Sequence, residues 1–332
     1  MIKIKKIKFE KISEKEIYDW NLVLKNSSDA TIFHTPEWIN LVAVEDNLNC
    51  EVLFCYKDNK PAGVFPYYIK KEKVFLKKVT TSAFETPYGG PISIDTDRRE
   101  ILNALVIAHK KKYLFLSSNI VLPPDYQIDV FSRQSCIIRN KETLQVSIER
   151  SKEELWNNLH NMKRRNIKKA LKNNITIKST GIEYVRDFHS MLAATYNRLK
   201  LPPPKPINFY TNLFELLEPL ERINLLMAFK DDKPIGAAIF LFFKDSIIYW
   251  QGASYEEYMK YAPNDLIHWN VIENGTKSGF KKYNMLHFHD SNGDEITSLK
   301  NYKLSFGTAL HKYYHVEYKN RLFSVLKQFS KI

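Results

Sequence analysis

The chain has 332 residues, of which 44% are hydrophobic and 26% are charged. This composition excludes a disordered chain, and the length is too great for one ordinary domain but suits two. The formal net charge of +13 predicts attraction to polyanions such as nucleic acid, phosphorylated carriers or an anionic membrane surface.

Cysteine spacing and apolar segments limit the class of protein further. The three cysteines, Cys50, Cys55 and Cys136, show no CxxC spacing, so neither a disulfide framework nor a zinc site is expected. Residues 1–8 alternate apolar and charged side chains and lack the uncharged stretch of a secretory signal. The longest apolar run, residues 235–243, is far shorter than the ~20 residues of a membrane-spanning helix. We therefore predict a cytoplasmic protein that holds no metal ion.

In chain order, the elements of the first half begin with a strand, because residues 1–8 alternate with period two. Ser13, followed by acidic residues, is typical of a helix start. Apolar runs on both sides of residues 57–63 predict a β-hairpin. An apolar-periodic segment predicts a helix at about 98–112, and residues 113–116 are predicted to form the next strand.

The second half repeats this order of elements. Ser151, again followed by acidic residues, predicts a helix start. A hairpin, a helix and a strand are then predicted at residues 230–236, 265–278 and 283–288. The Pro-rich residues 201–206 fit neither a helix interior nor a central strand, so we predict a loop there between two helices.

The turns of the two hairpins have nearly the same sequence. Lys-Asp-Asn-Lys-Pro-Ala-Gly at residues 57–63 recurs as Lys-Asp-Asp-Lys-Pro-Ile-Gly at residues 230–236. A repeated order of elements around a repeated turn predicts two copies of one α/β unit. The polar stretch before residue 145 is the natural boundary, which gives domains 1–145 and 146–332.

The order of elements resembles the acetyltransferase (GNAT) fold, and two such units in tandem resemble the Fem family and the related BioF2-like acyltransferases. Six segments carry this resemblance: Phe33-His-Thr-Pro-Glu-Trp38, Pro87-Tyr-Gly-Gly-Pro91, Lys163-Arg-Arg-Asn-Ile-Lys-Lys-Ala170, Tyr249-Trp-Gln-Gly-Ala-Ser254, Ala262-Pro-Asn-Asp-Leu266 and Tyr302-Lys-Leu-Ser-Phe-Gly307. Members of the Fem family attach amino acids from aminoacyl-tRNA to peptidoglycan precursors. The resemblance therefore implies an α/β protein of two tandem GNAT-like domains, with mixed sheets, that acts as an acyltransferase.

Lys303 is the first candidate for a catalytic residue. Tyr302 and Phe306 are spaced i, i+4 and can bury one side of a short helix, which would direct Lys303 away from the core. A cation at this position could stabilise a developing oxyanion or hold a carboxylate of the acceptor. An ordinary exposed lysine is the alternative.

The sequence His287-Phe-His289-Asp290 gives two further catalytic candidates, His289 and Asp290. It ends a predicted strand, so both imidazoles are expected on the same face. A proton-transfer role, a metal site and a purely structural role all stay open, although no third metal ligand is identifiable.

Candidate substrate-binding residues fall into two groups. Arg164, Arg165 and Lys168 lie in the basic run 163–172, which contains no acidic residue and is expected to form a helix. That helix is either a solvated basic face or a contact for phosphates of a tRNA or of a phosphorylated acceptor. The second group lies in the segments that carry the resemblance and could hydrogen-bond substrate: Tyr88, Tyr249, Ser254 and Asn264.

The donor is expected to be an aminoacyl-tRNA or an acyl-CoA, used as a substrate and not as a resident cofactor. Acetyl-CoA enzymes of this fold bind pyrophosphate at a Gly-rich turn that opens a helix. Residues 252–265, the equivalent junction, contain one glycine and no such motif. The sequence therefore favours aminoacyl-tRNA over acyl-CoA.

These observations predict an enzyme that moves an activated aminoacyl or acyl group onto an amine of a cell-envelope precursor or amino sugar. An anionic acceptor would bring peripheral membrane contact with it. One alternative is an acyl-CoA-dependent N-acetyltransferase of the BioF2-like type. The other is a non-catalytic protein that binds anionic cell-wall precursors or RNA through residues 163–172.

Overall fold

The computed structural model describes residues 1–73, 76–81, 86–111, 116–132, 136–289 and 295–319. The chain forms two compact units, of which the first comprises Met1–Lys141 and the segment from Lys312 onward. The second unit comprises Glu142–His311. The division expected from the sequence, at residues 145 and 146, leaves the C-terminal segment in the second half, whereas its contacts place it in the first unit.

The elements before residue 133 follow the predicted order. The strands are β1 (Ile2–Lys8), β2 (Asn49–Lys57), β3 (Lys60–Lys73), β4 (Leu76–Thr80), β5 (Ile92–Ser93) and β6 (Leu116–Val121). The helices are α1 (Glu14–Lys25), α2 (Pro36–Glu45), α3 (Arg98–Lys111) and α4 (Asp129–Ser132). The helix expected at about 98–112 is thus present as α3; residues 112–115 lie outside the described part of the chain.

After β7, α5 and α6, the elements from β8 to α10 repeat that order, apart from the short strand β5. The strands are β7 (Ile137–Ser147), β8 (Thr176–Thr180), β9 (Ile223–Lys230), β10 (Lys233–Phe243), β11 (Ser246–Ser254), β12 (Lys282–Asn284) and β13 (Ala309–Lys319). The helices are α5 (Lys152–Asn158), α6 (Asn161–Lys172), α7 (Val185–Arg198), α8 (Ile207–Leu217), α9 (Pro263–Lys277) and α10 (Thr297–Leu304). The Pro-rich loop lies between α7 and α8, as the sequence predicted.

The sheets of the two units have the same strand order and the same pattern of strand directions. The strand order is β1-β2-β3-β4-β6-β13 in the first unit, with β5 beside β3, and β8-β9-β10-β11-β12-β7 in the second. Each sheet contains one parallel pair, β4 with β6 and β11 with β12. The other strand pairs within these two sheets are antiparallel. The last strand of the first sheet, β13, comes from the C-terminal segment, and this pairing explains why that segment belongs to the first unit.

Local sequence determines the repeated hairpins and helix starts. Asp58 and Asn59 have φ of 50° and 62°, and Asp231 and Asp232 have φ of 47° and 59°. Two successive positive φ angles give the turn whose twist suits a two-residue hairpin, and Asp and Asn tolerate that conformation.

The helix starts at Ser13 and Ser151 are confirmed as capping boxes. Ser13 with Glu16 caps α1, and Ser151 with Glu154 caps α5. In each, the serine side chain accepts from the backbone of the third helical residue, whose carboxylate accepts from the serine N–H.

Helices cover the second sheet on both faces. α6 and α9 bury an apolar cluster with the inward side chains of β9, β10 and β11, including Phe240 and Ile247. On the other face, Trp250 of β11 packs near Phe209 of α8, at 6.2 Å between ring centroids. Because neighbouring residues of a strand project to opposite faces, Tyr249 points toward α9. Among the described residues, no helix is both long and apolar enough to cross a membrane.

Candidate active site

The second sheet opens between its two parallel strands. β11 and β12 pair over only three residues each, 246–248 beside 282–284. β11 continues to Ser254 along β10, with a register shift that leaves Trp250 as a bulge. Bulges of this kind redirect side chains and are common beside active sites. The edge of β11 beyond residue 248 therefore faces a gap in the sheet.

The gap arises because the chain turns away after β12. The Leu286 N–H donates to the Asn284 side-chain oxygen at 2.7 Å, and Leu286 has φ of 59°. Met285 N–H donates to the Leu144 carbonyl of β7 at 2.8 Å, so the segment stays with β7 instead of following β11. The strand predicted at 283–288 is thus wrong beyond Asn284, because the side chain of Asn284 supplies a local turn that apolar periodicity does not reveal.

The parallel pair of the first unit does not open at the corresponding place. Beyond β4, Thr81 N–H donates to the Asn119 carbonyl at 3.1 Å, and its hydroxyl accepts from Val121 N–H at 2.9 Å. Gly89 N–H then donates to the Val121 carbonyl at 2.7 Å. Residues 81 and 89 therefore continue the pairing with β6, and within the described residues the gap lies in the second unit.

Lys303 of α10 lies inside the gap. Its Nζ donates to the carbonyl of Met285 at 2.5 Å and to that of His287 at 2.7 Å, and the residue is only 4% exposed. Burial lowers the pKa of Lys303 to about 7. The expectation that Lys303 points away from the core is wrong, because these two carbonyls lost their strand partner where β12 ends and the ammonium group satisfies them.

Aromatic and histidine rings line the space beside Lys303. The Tyr249 ring centroid is 6.0 Å from Nζ, and the His268 ring of α9 is 4.6 Å from Tyr249. His268 Nδ1 lies 2.5 Å from the Tyr283 hydroxyl, and its ring is 4.8 Å from Phe306. Burial lowers the pKa of His268 well below its usual value, and the nearby cations Lys163 and Lys303 lower it further. His268 is therefore neutral.

A buried ion pair between α6 and α9 lies next to these rings and also contacts α10. Lys163 Nζ lies 2.6 Å from one carboxylate oxygen of Asp265, and Asn166 donates to the other at 2.7 Å. The same ammonium lies 3.7 Å from the centroid of Tyr302, the neighbour of Lys303. Lys163 was predicted within an exposed basic face, which is wrong for this residue. It shares the buried face of α6 with Ile167 and Ala170, at i+4 and i+7.

Gly252 lets Tyr249 lie flat against β11. A Cβ atom at residue 252 would be 2.2 Å from the Tyr249 hydroxyl and 3.0 Å from its ring. A side chain at residue 252 would therefore displace Tyr249 from its place beside Lys303.

We expect the substitution Gly252→Ala to lower kcat/KM by on the order of 10–100-fold, the effect of shifting an active-site group by about an ångström. Steady-state kinetics on the transferred group would measure it. A Gly252→Ala enzyme as active as the wild type would contradict this placement of Tyr249.

The remaining candidates near β11 form a hydrogen-bonded set. Asn264 of α9 donates to the Ser254 hydroxyl at 3.4 Å. The Ser254 carbonyl accepts from Thr195 and from Arg198 of α7, each at 3.2 Å. Hydrogen bonds from α7 and from α9 therefore both fix the position of Ser254. No pattern in the sequence indicated Arg198.

The three basic candidates of α6 lie together at the surface. Asn161, Arg164, Arg165 and Lys168 line an open cavity of about 390 Å³. Arg164 is held in place by the Asn157 carbonyl at 2.8 Å and by the Asn161 side chain. We call this cavity the α6 groove.

The other predicted residues lie elsewhere. Tyr88 is buried in the first unit, with Tyr313 at 5.5 Å and Phe33 at 6.2 Å between ring centroids. His289 is half-buried and stacks on Phe288 at 4.6 Å. Asp290 lies outside the described residues.

The two histidines do not share a strand face, because β12 ends before them. His287 contributes its carbonyl to Lys303. In the described ranges, no group of three or more His, Cys, Asp or Glu side chains could hold a metal ion.

Comparisons with known proteins show which folds this chain resembles. Residues 158–304, which contain the gap and the α6 groove, match the family described as the acetyltransferase (GNAT) domain. A search of curated proteins found no match. Among solved structures, FemX is similar over 98% of this chain and 99% of its own, at 15% identity and a TM-score of 0.75.

Two further structures share the fold. L-PGS from Bacillus licheniformis matches over 93% of each chain, with 10% identity and a TM-score of 0.59. A tandem GNAT protein from the clavulanic acid biosynthesis pathway matches over 96% of this chain and 98% of its own, with 8% identity and a TM-score of 0.52. The chain therefore shares its fold with FemX and with a tandem GNAT protein, and its residues 158–304 match the acetyltransferase (GNAT) domain.

Proposed function

We propose that this protein transfers an activated aminoacyl or acyl group onto an amine of a cell-envelope precursor or an amino sugar, with the reaction taking place in the gap between β11 and β12. The observation that carries the proposal is the buried Lys303 in that gap. Its two carbonyl partners hold the amine nitrogen in a fixed position, next to the edge of β11.

The gap suits aminolysis of a carbonyl. The backbone of a strand edge can hold a bound acyl group in extended register. Tyr249 and Lys303 reach the same space from β11 and α10. A positioned donor close to the carbonyl oxygen stabilises the tetrahedral intermediate, and each such group contributes on the order of 10²–10³-fold in rate.

The helix start beside the gap favours an aminoacyl ester over acyl-CoA. α9 begins with Ala262 at φ of 56° and Pro263, which has no N–H. A pyrophosphate needs several free N–H groups, so this helix start is poorly suited to it. These features support aminoacyl-tRNA as donor, with no resident cofactor.

The α6 groove supports the same donor. Three cationic side chains face one open cavity on the domain that holds the gap. Phosphodiesters are recognised by such groups through charge and hydrogen bonding. We assign Arg164, Arg165 and Lys168 to contacts with donor phosphates.

Replacing Arg164, Arg165 and Lys168 together by Gln should raise the KM for a charged tRNA and reduce its salt dependence. Each lost phosphate contact lowers the slope of log K against log salt by about 0.7–0.9. The control is Lys169→Gln with Lys172→Gln, which removes two exposed cations of the same helix that do not line the groove. Equal effects of both sets would mean that the groove is an ordinary basic face.

The acceptor is proposed from resemblance and charge. The Fem-like fold supports an amine on a peptidoglycan precursor, and the net charge of +13 favours an anionic one at a membrane surface. A cytoplasmic location is proposed with it. His289 and Asp290 remain candidates for proton transfer at the edge of the site.

Thermal-shift and mass-spectrometric screening against charged tRNAs, acyl-CoAs and nucleotide-linked peptides tests the proposal. We expect transfer from a charged tRNA. Transfer from acyl-CoA alone would favour the BioF2-like alternative. Binding without transfer to any amine would favour a non-catalytic binder that uses the α6 groove.

A further inference from the structure

His268 of α9 contacts all three elements that border the gap. Its ring centroid is 4.6 Å from that of Tyr249, the first residue of β11 beyond the three that pair with β12. Its Nδ1 lies 2.5 Å from the hydroxyl oxygen of Tyr283 on β12. On the side of α10, the ring is 4.8 Å from Phe306, the third residue after Lys303. The imidazole therefore lies where a substrate in the gap would be in reach.

The contact with Tyr283 determines which ring nitrogen carries the hydrogen. Tyr283 is fully buried, and among the described residues its hydroxyl has a hydrogen-bond partner in Nδ1 of His268 alone. A buried hydroxyl without an acceptor is costly, so the Tyr283 O–H donates to Nδ1. A neutral imidazole has one N–H group, and with Nδ1 as the acceptor that group is Nε2–H.

The surroundings keep this imidazole neutral. His268 is only 1% exposed, and the charged groups that act on it are the two cations Lys163 and Lys303. The carboxylate on the same helix, that of Asp265, is already bound by Lys163 and Asn166. A third positive charge in this place would be both desolvated and repelled. The ring therefore stays neutral at the pH values where an exposed histidine gains a proton.

The Nε2–H group has no acceptor within the part of the chain that the structure describes. The ring makes one hydrogen bond there, through Nδ1, and its other neighbours are the rings of Tyr249, Tyr302 and Phe306. Buried polar groups without a partner are rare in folded proteins, and each calls for an explanation such as a ligand or a catalytic role. Because the neighbouring rings border the gap, a substrate in the gap can supply the acceptor.

We propose that His268 is a catalytic hydrogen-bond donor, whose Nε2–H binds the oxygen of the activated carbonyl, and that Tyr283 is a positioning residue that fixes the tautomer. This inference rests on the proposed function. When the acceptor amine forms the N–C bond, the carbonyl π electrons move to that oxygen, and its hydrogen bond to Nε2 strengthens. When the C–O bond to the leaving group breaks, the carbonyl re-forms, and the proton that the amine gives up leaves with the hydroxyl. Nε2 keeps its own hydrogen throughout, as neutral imidazole donors do in other enzymes.

A purely structural role would make a different demand on the ring. It would need the contact between Nδ1 and Tyr283, whereas the group at Nε2 could be exchanged freely. A role as donor needs Nε2–H as well. Substitutions that separate the two nitrogens therefore distinguish these roles.

The test compares three substitutions of His268. His268→Gln places an amide N–H near the position of Nε2, His268→Asn reaches only as far as Nδ1, and His268→Leu fills the volume without a donor. We expect kcat of the Asn and Leu variants to fall by about 10²–10³-fold, the effect of losing one such donor. The KM should change much less, since the interaction strengthens in the transition state. His268→Gln should stay within about tenfold of the wild type.

Two further variants control for folding and for the loss of any histidine. In the double variant His268→Leu, Tyr283→Phe, no hydroxyl is left without an acceptor, so it should be folded and as slow as His268→Leu. His189 of α7 is half-buried, and its Nε2 already lies 2.9 Å from the Lys205 carbonyl. His189→Leu should change kcat less than about twofold, because this ring has no part in the gap.

The position of the hydrogen can be measured without any substrate. The nitrogen chemical shifts of the ring, in protein labelled with ¹⁵N-histidine, distinguish a protonated nitrogen from a bare one. The signals of His268 are those that disappear in His268→Gln. Between about pH 6 and 8 we expect Nε2 to be protonated and Nδ1 to be bare.

Three results would overturn the inference alone: a hydrogen on Nδ1 of His268, equal activity of the Gln and Asn variants, or transfer by His268→Leu within about tenfold of the wild type. A wild-type protein that transfers nothing to any amine would instead overturn the proposed function. The two failures are distinguishable, because the nitrogen shifts are read in the absence of donor and acceptor.

Discussion

Replacing Lys303 by Met should lower kcat by about 10²–10³-fold, because it removes the donor nearest the reacting carbonyl. The side chains are similar in length and both fit a buried site. Two carbonyls, those of Met285 and His287, lose their donor, at about 1–3 kcal/mol each. The buried ammonium is lost with it, which offsets part of that cost. We therefore expect a folded, inactive protein, as measured by single-turnover transfer and by circular dichroism.

Lys300→Met is the matched control for this variant. Lys300 lies one turn earlier on α10 and pairs with Glu295 at a partly exposed position. Its loss should change kcat less than twofold, since a surface ion pair contributes about 0–1 kcal/mol. A Lys303→Met protein that is folded and transfers at the wild-type rate would show that the gap is not the reaction site.

Breaking the Lys163–Asp265 pair should have the largest effect on stability. Asp265→Asn leaves a buried ammonium without its counter-charge, and Lys163→Met leaves a buried carboxylate. Removing one partner of a buried pair typically costs about 3–5 kcal/mol. Both variants should show a clearly lower melting temperature. Since the same ammonium lies on the Tyr302 ring, they should also lose activity at temperatures where they are still folded.

A double variant separates charge from packing in this network. Lys163→Met with Asp265→Leu removes both charges and keeps the volume apolar, and it should regain most of the lost stability. Lys152→Met is the control, because Lys152 pairs with Glu273 at the surface and should contribute about 1 kcal/mol or less. If Lys163→Met were as stable as Lys152→Met, the buried pair would not join these helices as described.

Local signals in the sequence predicted much of this fold. The repeated turns required two residues that tolerate positive φ, and Asp58, Asn59, Asp231 and Asp232 meet that requirement in both hairpins. Ser13 and Ser151 were recognisable as caps from the acidic residue three positions later. Each of these features depends on a few consecutive residues, so sequence patterns were sufficient.

The site depends on contacts between distant residues, and the sequence predicted less of it. Lys303 was chosen as a candidate, but its burial follows from two carbonyls near residue 286 that lose their strand partner. No pattern around Lys303 contains that information. The spacing of Lys163, Ile167 and Ala170 places all three on one face of α6, which indicates that Lys163 is buried. The surrounding cations instead suggested that it lies on an exposed basic face. The sequence did not indicate that His268 lies in the site, because a single histidine in a helix can have many structural or functional roles.

The strand β13 shows the same limit at the level of the fold. Its residues alternate as a strand does, yet its partner β6 lies almost 200 positions earlier in the chain. The pairing partner of a strand cannot be recognised from local sequence when it lies so far away in the chain. A boundary at residue 145 follows from the repeat alone, whereas the C-terminal strand completes the first unit.

The central claim is that an amine meets an activated carbonyl in the gap that Lys303 fills. The most direct measurement is transfer of a radiolabelled aminoacyl group from a pool of charged tRNAs to a mixture of cell-envelope amines, with wild type and Lys303→Met compared at equal concentration. We predict a labelled amide product with the wild type, and a rate at least about 100-fold lower with Lys303→Met. Equal product formation by the two proteins would contradict the account, and so would a wild type that leaves every charged tRNA unchanged.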